Sequence, residues 1–131
     1  MIHGIGTDLV EVRRIQRVWE SYGTHFSKRI LMPEELAGFD KSKNPVRYLA
    51  MRFAAKEAIV KALGTGFHYG MWVRDAGSIT DKRGRPLVIF SDRGRAVCRT
   101  LGAGEAYVSL SDEAGMVLAM AVILKEVISG Y

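Results

Sequence analysis

Cysteine occurs once in the chain, at Cys98, and histidine three times, at His3, His25 and His68. A lone cysteine forms no internal disulfide and supplies no zinc cluster, and without HExxH or grouped Cys and His a zinc enzyme is disfavoured. Cys98 falls on a predicted helix, where it reads as a small buried apolar residue. The phosphate-cradling GxxxxGK[ST], the dinucleotide fingerprint GxGxxG and the nucleophile motif GxSxG are all missing. So are repeats and low-complexity segments. No apolar run reaches the length of a membrane span, and the opening MIHGIGTDLV has neither the basic region nor the long apolar core of a signal peptide. A cytoplasmic location is the resulting expectation, with no membrane partner.

What is present is the composition of an ordinary folded protein. The 131 residues, 48% apolar and 25% charged, suffice for one domain with a real core, expected to span residues 1–131. The formal charge of +5 favours an anionic partner, whether nucleic acid, an acidic protein or a phosphorylated small molecule.

The stretch Arg52 to Gly66, RFAAKEAIVKALGTG, is predicted to end a helix that begins near Val46 and stops at Gly64. Val46, Ala50, Phe53, Val60 and Gly64 fall on one stripe with Glu57 in its middle. Ala54, Ala55, Ala58, Ile59, Ala62 and Leu63 cover most other directions, and only Arg47, Arg52, Lys56 and Lys61 interrupt them. Such a helix is expected to be buried on most sides. A carboxylate in that setting needs a partner, and Lys61, four residues on, is the nearest candidate. The plainer reading is a surface ion pair worth about 0.3 to 0.5 kcal/mol.

The remaining elements read in order as follows. Ile2 to Val10 alternate as a strand, with Gly4, Gly6 and Asp8 sharing one face. Two glycines there suit a close approach of another backbone, and a helix packed on that face brings Asp8 towards Glu57. Alternatively, Asp8 only ends the strand or caps the next helix. A helix over Glu11 to Tyr22 buries Val12, Ile15 and Trp19 and exposes Arg13, Arg14 and Arg17; a short one over His25 to Leu31 adds Lys28 and Arg29. Pro33, Glu34 and Glu35 open another short helix, followed by a polar loop from Asp40 to Pro45. Val73 to Thr80 and Arg85 to Phe90 form a hairpin, Ser91 to Leu101 a capped helix, and Ala106 to Ser111 with Met116 to Leu124 a second hairpin. The expected class is α+β, a largely antiparallel sheet packed with a long central helix.

The turn Gly64-Thr65-Gly66 offers backbone amides to a phosphate, but it follows a helix C-terminus and so needs a cation beside it. Lys61, Arg52 and a metal on Asp8 and Glu57 are the available ones, and carboxylate ligands with open positions suit Mg²⁺.

Three segments, GIGTDLVEVRRI from Gly4, FAAKEAIVKALGTG from Phe53 and VSLSDEAGMVLAMAVIL from Val108, together resemble the bacterial holo-acyl-carrier-protein synthases, the short class of 4'-phosphopantetheinyl transferases. The match runs nearly end to end in length and order. The resemblance implies an α+β transferase that moves phosphopantetheine from coenzyme A to a serine of apo acyl carrier protein, releasing adenosine 3',5'-bisphosphate, in fatty acid biosynthesis. It implies a homotrimer with coenzyme A in clefts between subunits, and Mg²⁺, or Mn²⁺ in its place, on Asp8 and Glu57. Catalytic roles fall to Glu57 as base and Lys61 at the leaving phosphate; coenzyme A is assigned to Arg52, Lys61, Gly64, Thr65 and Gly66. Acyl carrier protein is assigned to Arg13, Arg14, Arg17, Val18, Phe26 and Arg29.

One departure stands out. Relatives commonly carry His-Val-Ser-[Ile or Leu]-[Ser or Thr]-His in the late strand, where this chain reads Tyr107-Val108-Ser109-Leu110-Ser111-Asp112. Both histidines are replaced, which favours Glu57 over a histidine base. Two alternatives stand beside this reading: a basic nucleic-acid-binding module, which lacks an aromatic RNP pattern, and a noncatalytic binder of carrier protein, which would not need Asp8, Glu57 and Lys61 together.

Overall fold

The computed structural model describes residues 1–127. Strand β1 (Ile2–Glu11) leads into α1 (Val12–Tyr22), α2 (Thr24–Ile30), α3 (Pro33–Lys41) and the long α4 (Pro45–Leu63). A hairpin of β2 (Ala76–Thr80) and β3 (Pro86–Phe90), helix α5 (Asp92–Leu101) and a hairpin of β4 (Ala103–Glu113) and β5 (Met116–Lys125) complete the chain. The α+β class and the antiparallel pairing are as the sequence indicates, but the strands form two sheets rather than one. A three-stranded sheet runs β1-β5-β4 and a two-stranded one β2-β3.

The strand glycines explain how α4 sits. A Cβ on Gly4 would lie 2.0 Å from the carbonyl oxygen of Ala62, and one on Gly6 would lie 2.1 Å from that of Ala58. The helix backbone therefore rests directly on β1, which only residues without side chains permit. From β5, Val117, Ala119, Ala121 and Ile123 point into the same core, with Ala54, Ala55, Ala58, Ile59 and Ala62 facing them from α4. The helix starts with Asn44, whose side chain accepts from the Arg47 amide, and ends where Gly64 adopts a left-handed conformation at φ 87°.

Three local expectations change. Asp40 and Lys41 belong to α3, so the polar loop is shorter than its composition indicates. Val73 to Asp75 form a turn instead of opening β2, because Asp75 folds back to accept from the Trp72 amide. Lys56 and Arg52 do not interrupt the buried surface of α4; both lie inside it.

That burial is made possible by Glu35. Its side chain is fully buried and sits 2.5 Å from Lys56 Nζ, while a Cβ on Gly77 would collide with its carboxylate at 2.6 Å. Glu35 Oε1 also accepts from the Met32 amide and Oε2 from the Ser78 amide, and Lys56 donates further to the Ala76 carbonyl. Burial draws the Lys56 ammonium below its usual range, against the pull of Glu35. The charges thus stitch α3, α4 and β2 together in a place where an unpaired ion would cost several kcal/mol.

Candidate active site

Asp8, Glu57 and Lys61 come together at the crossing of β1 and α4. Asp8 shares the glycine face of β1, so its carboxylate emerges beside the helix two residues beyond the close contact at Gly6. Lys61 Nζ donates to Asp8 Oδ1 at 3.1 Å and to the Thr7 carbonyl at 3.0 Å. The pairing expected between Glu57 and Lys61 is therefore not made. Asp8 takes the lysine across the contact between β1 and α4, while Glu57 feels the charges of both.

Glu57 is half-buried, and its pKa is raised, first by desolvation and then by the Asp8 charge, with Lys61 pulling the other way. Two carboxylates thus share one field, with one ammonium between them. No group of three or more metal-ligating side chains exists among the described residues. A pair of hard oxygen donors nonetheless fits a hard cation that keeps other positions for water or phosphate oxygens. It does not fit a closed structural zinc site.

The coenzyme A set divides. Gly64 and Thr65 line a mainly apolar cavity of about 450 Å³ with Tyr69, Gly70, Val97 and Leu101. Gly66, at φ 57°, sends its amide back to the Val60 carbonyl in the turn that closes α4. Arg52 lies elsewhere, on a cavity of about 780 Å³ shared with Arg47, Arg85, Leu87, Val88 and Tyr107. Its guanidinium donates to the carbonyl and hydroxyl of Ser78, and burial lowers its pKa. Arg47 and Arg85 escape sequence reading because they reach the cavity from α4 and from the turn before β3.

Tyr107, at the position where the resemblance leads one to expect histidine, is exposed and lines this larger cavity, its hydroxyl donating to Glu105. Asp112, at the second histidine position, pairs with Arg47. Arg13, Arg14 and Arg17 of α1 are exposed, and Val18, Phe26 and Arg29 line a third cavity of about 390 Å³ with Tyr22 and His25.

A sequence profile described as the 4'-phosphopantetheinyl transferase superfamily matches residues 4–117. The chain belongs to this family. The Halorhodospira halophila holo-[acyl-carrier-protein] synthase is 44% identical over 124 residues, covering 95% of this chain and 98% of the relative. The crystal structure of the Neisseria meningitidis holo-[acyl-carrier-protein] synthase superposes with a TM-score of 0.90 at 42% identity, over 95% of this chain and all of that one. The Helicobacter pylori synthase, solved in complex with coenzyme A, is 28% identical with a TM-score of 0.79, over 91% of this chain and 98% of that one. In this chain Asp8, Glu57 and Lys61 meet where the glycine-faced strand β1 lies against α4.

Proposed function

We infer that the chain transfers the 4'-phosphopantetheine group from coenzyme A to a serine hydroxyl of apo acyl carrier protein. Membership of the family and the convergence of Asp8, Glu57 and Lys61 carry the reading. In the transfer the serine oxygen bonds to the phosphorus that bears pantetheine, and the bond to the 5'-phosphate breaks to release adenosine 3',5'-bisphosphate. The half-buried Glu57 carboxylate, directly or through a water, accepts the serine proton. The Lys61 ammonium, one turn on, stabilises the leaving phosphate. Asp8 and Glu57 would hold Mg²⁺, whose charge offsets that of the pyrophosphate.

The divided coenzyme A set favours a composite site. Strands β1 and β4 are the two edges of one sheet; the carboxylates sit by the first, and the Arg52 cavity lies by the second. A ring of copies packed head to tail brings each β1 edge to a neighbour's β4 edge, so coenzyme A would span two subunits. The outer sheet face suits burial in such a ring: Ile5 is 59%, Leu9 61%, Leu118 46% and Met120 45% exposed. The reading is a homotrimer, and Leu118→Glu should yield an inactive monomer by light scattering.

Carrier protein docking is assigned to α1 and α2, where Arg13, Arg14, Arg17 and Arg29 meet acidic side chains and Val18 and Phe26 supply apolar contact. Arg14→Glu is expected to raise the carrier-protein KM several-fold at low salt with little change in kcat. The decisive experiment is mass spectrometry of an apo acyl carrier protein incubated with coenzyme A, Mg²⁺ and this enzyme. A gain of one phosphopantetheine supports the reading; unmodified carrier protein from several sources overturns it.

A further inference from the structure

The buried cations of α4 form a row that the transfer chemistry itself leaves unused. Leu49, Arg52, Lys56, Ile59 and Leu63 succeed one another at steps of three and four residues, and all five are buried. Their polar ends converge on β2. The Ser78 amide donates to Glu35 Oε2 at 3.1 Å, and the Ser78 carbonyl and hydroxyl accept from Arg52 Nη1 at 2.8 and 3.1 Å. Lys56 holds Glu35 Oε1 and the Ala76 carbonyl, two residues before Ser78. Tyr48 closes the circuit, with its ring 5.0 Å from the Arg52 guanidinium carbon and its hydroxyl donating to the Glu35 carbonyl at 2.5 Å.

Two imbalances remain in this cluster. A single carboxylate serves two buried cations, which leaves a surplus positive charge. Arg52 Nε is also the one buried side-chain nitrogen or oxygen without a hydrogen-bond partner among the described residues. A buried donor left unpaired is costly, and so is a buried charge without a counter-ion. Arg52 lines the cavity of about 780 Å³ with Arg47 and Arg85, and an anion in that cavity offsets the surplus charge.

We propose that Glu35, Lys56 and Ser78 are positioning residues that preset the Arg52 guanidinium for a phosphate group of coenzyme A. Ser78 acts by direct contact, and Glu35 with Lys56 acts by fixing the β2 backbone that carries it. A cation already locked in its binding geometry loses little freedom when the ligand arrives, so the affinity it contributes is greater. The inference rests on the reading that Arg52 contacts coenzyme A.

A double-mutant cycle separates the two claims. Coenzyme A affinity is measured calorimetrically on the full chain for wild type, Ser78→Ala, Arg52→Ala and the pair, with kcat at saturating coenzyme A and the melting temperature followed alongside. Ser78→Ala is expected to weaken coenzyme A about three- to tenfold, with kcat nearly unchanged and the melting temperature lowered by only a few degrees. In the Arg52→Ala background the same substitution should cost nothing further. Additive losses, or a Ser78→Ala protein that binds like wild type while Arg52→Ala is weakened, overturn the positioning role alone. Wild-type affinity in Arg52→Ala overturns the underlying assignment of Arg52 and the positioning role with it. The shape-preserving pair Glu35→Gln with Lys56→Met should show the same weakened affinity; should that variant not fold, the Ser78 cycle still decides.

Discussion

Helix α4 carries two lysines five residues apart, each paired with a carboxylate, and the two pairs do opposite things. Lys56 and Glu35 are both fully buried and 2.5 Å apart. Lys61 and Asp8 are 3.1 Å apart with the lysine half exposed, and a second carboxylate, Glu57, stands within their field. In the buried pair every oxygen of Glu35 is taken by a donor, so nothing is left to bind a ligand. In the exposed pair the charges are unbalanced in the negative sense, and solvent can be exchanged for a cation and a pyrophosphate. The same residue types on one helix thus give a clamp in one case and, on the proposed reading, a reaction site in the other. What decides is how much of each carboxylate the fold has already satisfied.

The sharpest way to break this contrast is to remove Asp8. Asp8→Ala is expected to lower the transfer rate by about a thousandfold or more, as EDTA should in wild type, because the pyrophosphate then loses its cation site. Its urea midpoint should scarcely change, since the pair it breaks is partly solvated. Full turnover without divalent metal would remove the metal from the site.

The converse holds for the clamp. Glu35→Leu strands Lys56 in the core and should destabilise the protein by about 3 to 5 kcal/mol in equilibrium urea unfolding. Glu35→Leu combined with Lys56→Met removes both charges and should recover most of that loss. A smaller effect is expected of Lys61→Met, which at a partly exposed site should change stability by about 1 kcal/mol or less while depressing the rate. If Lys61→Met unfolds the protein as readily as Glu35→Leu, the two lysines do not differ in the way described.

The two regions also differed in how far the sequence disclosed them. Gly4 and Gly6 on a strand face leave few explanations other than a backbone lying on them, and that one inference brings Asp8 to α4. The helices and hairpins followed from caps, turns and periodicity, with errors of a few residues where Asp75 bends the chain and where α3 outlasts its apolar pattern. The Glu35 clamp was not read. Leu49, Arg52, Lys56, Ile59 and Leu63 do follow the spacing of a core-facing row, so two cations within it were a sign that a buried acceptor existed. Nothing local identified that acceptor, because Glu35 serves as an ordinary first-turn acid of α3 and only tertiary packing against Gly77 buries it. The division of the coenzyme A residues between two cavities was likewise hidden, since it depends on how α5 packs at one end of α4 and β3 and β4 pack near the other.

The smallest effect tests the electrostatics of the open pair directly. In metal-free protein the Glu57 carboxyl titrates above an ordinary glutamate, with burial as the larger cause and Asp8 as the next. Asp8→Asn removes the second cause and leaves the first, so carbon-detected NMR should find the Glu57 pKa lowered yet still above the ordinary value. Because the raised pKa means that the folded state holds this proton more tightly than the unfolded chain, the associated stability is present below the unfolded pKa and lost as pH rises through the folded one. Stability of the metal-free wild type should therefore carry a small term that declines over that interval, and Asp8→Asn should diminish it. The catalytic consequence runs the other way, since Glu57 accepts a proton only when ionised; in the metal-loaded protein the cation holds that carboxyl ionised to lower pH, so the fall in rate should come at lower pH than the metal-free titration. A Glu57 that titrates identically with and without Asp8 would mean that the two carboxylates do not share a field, and the case for one cation between them would fall.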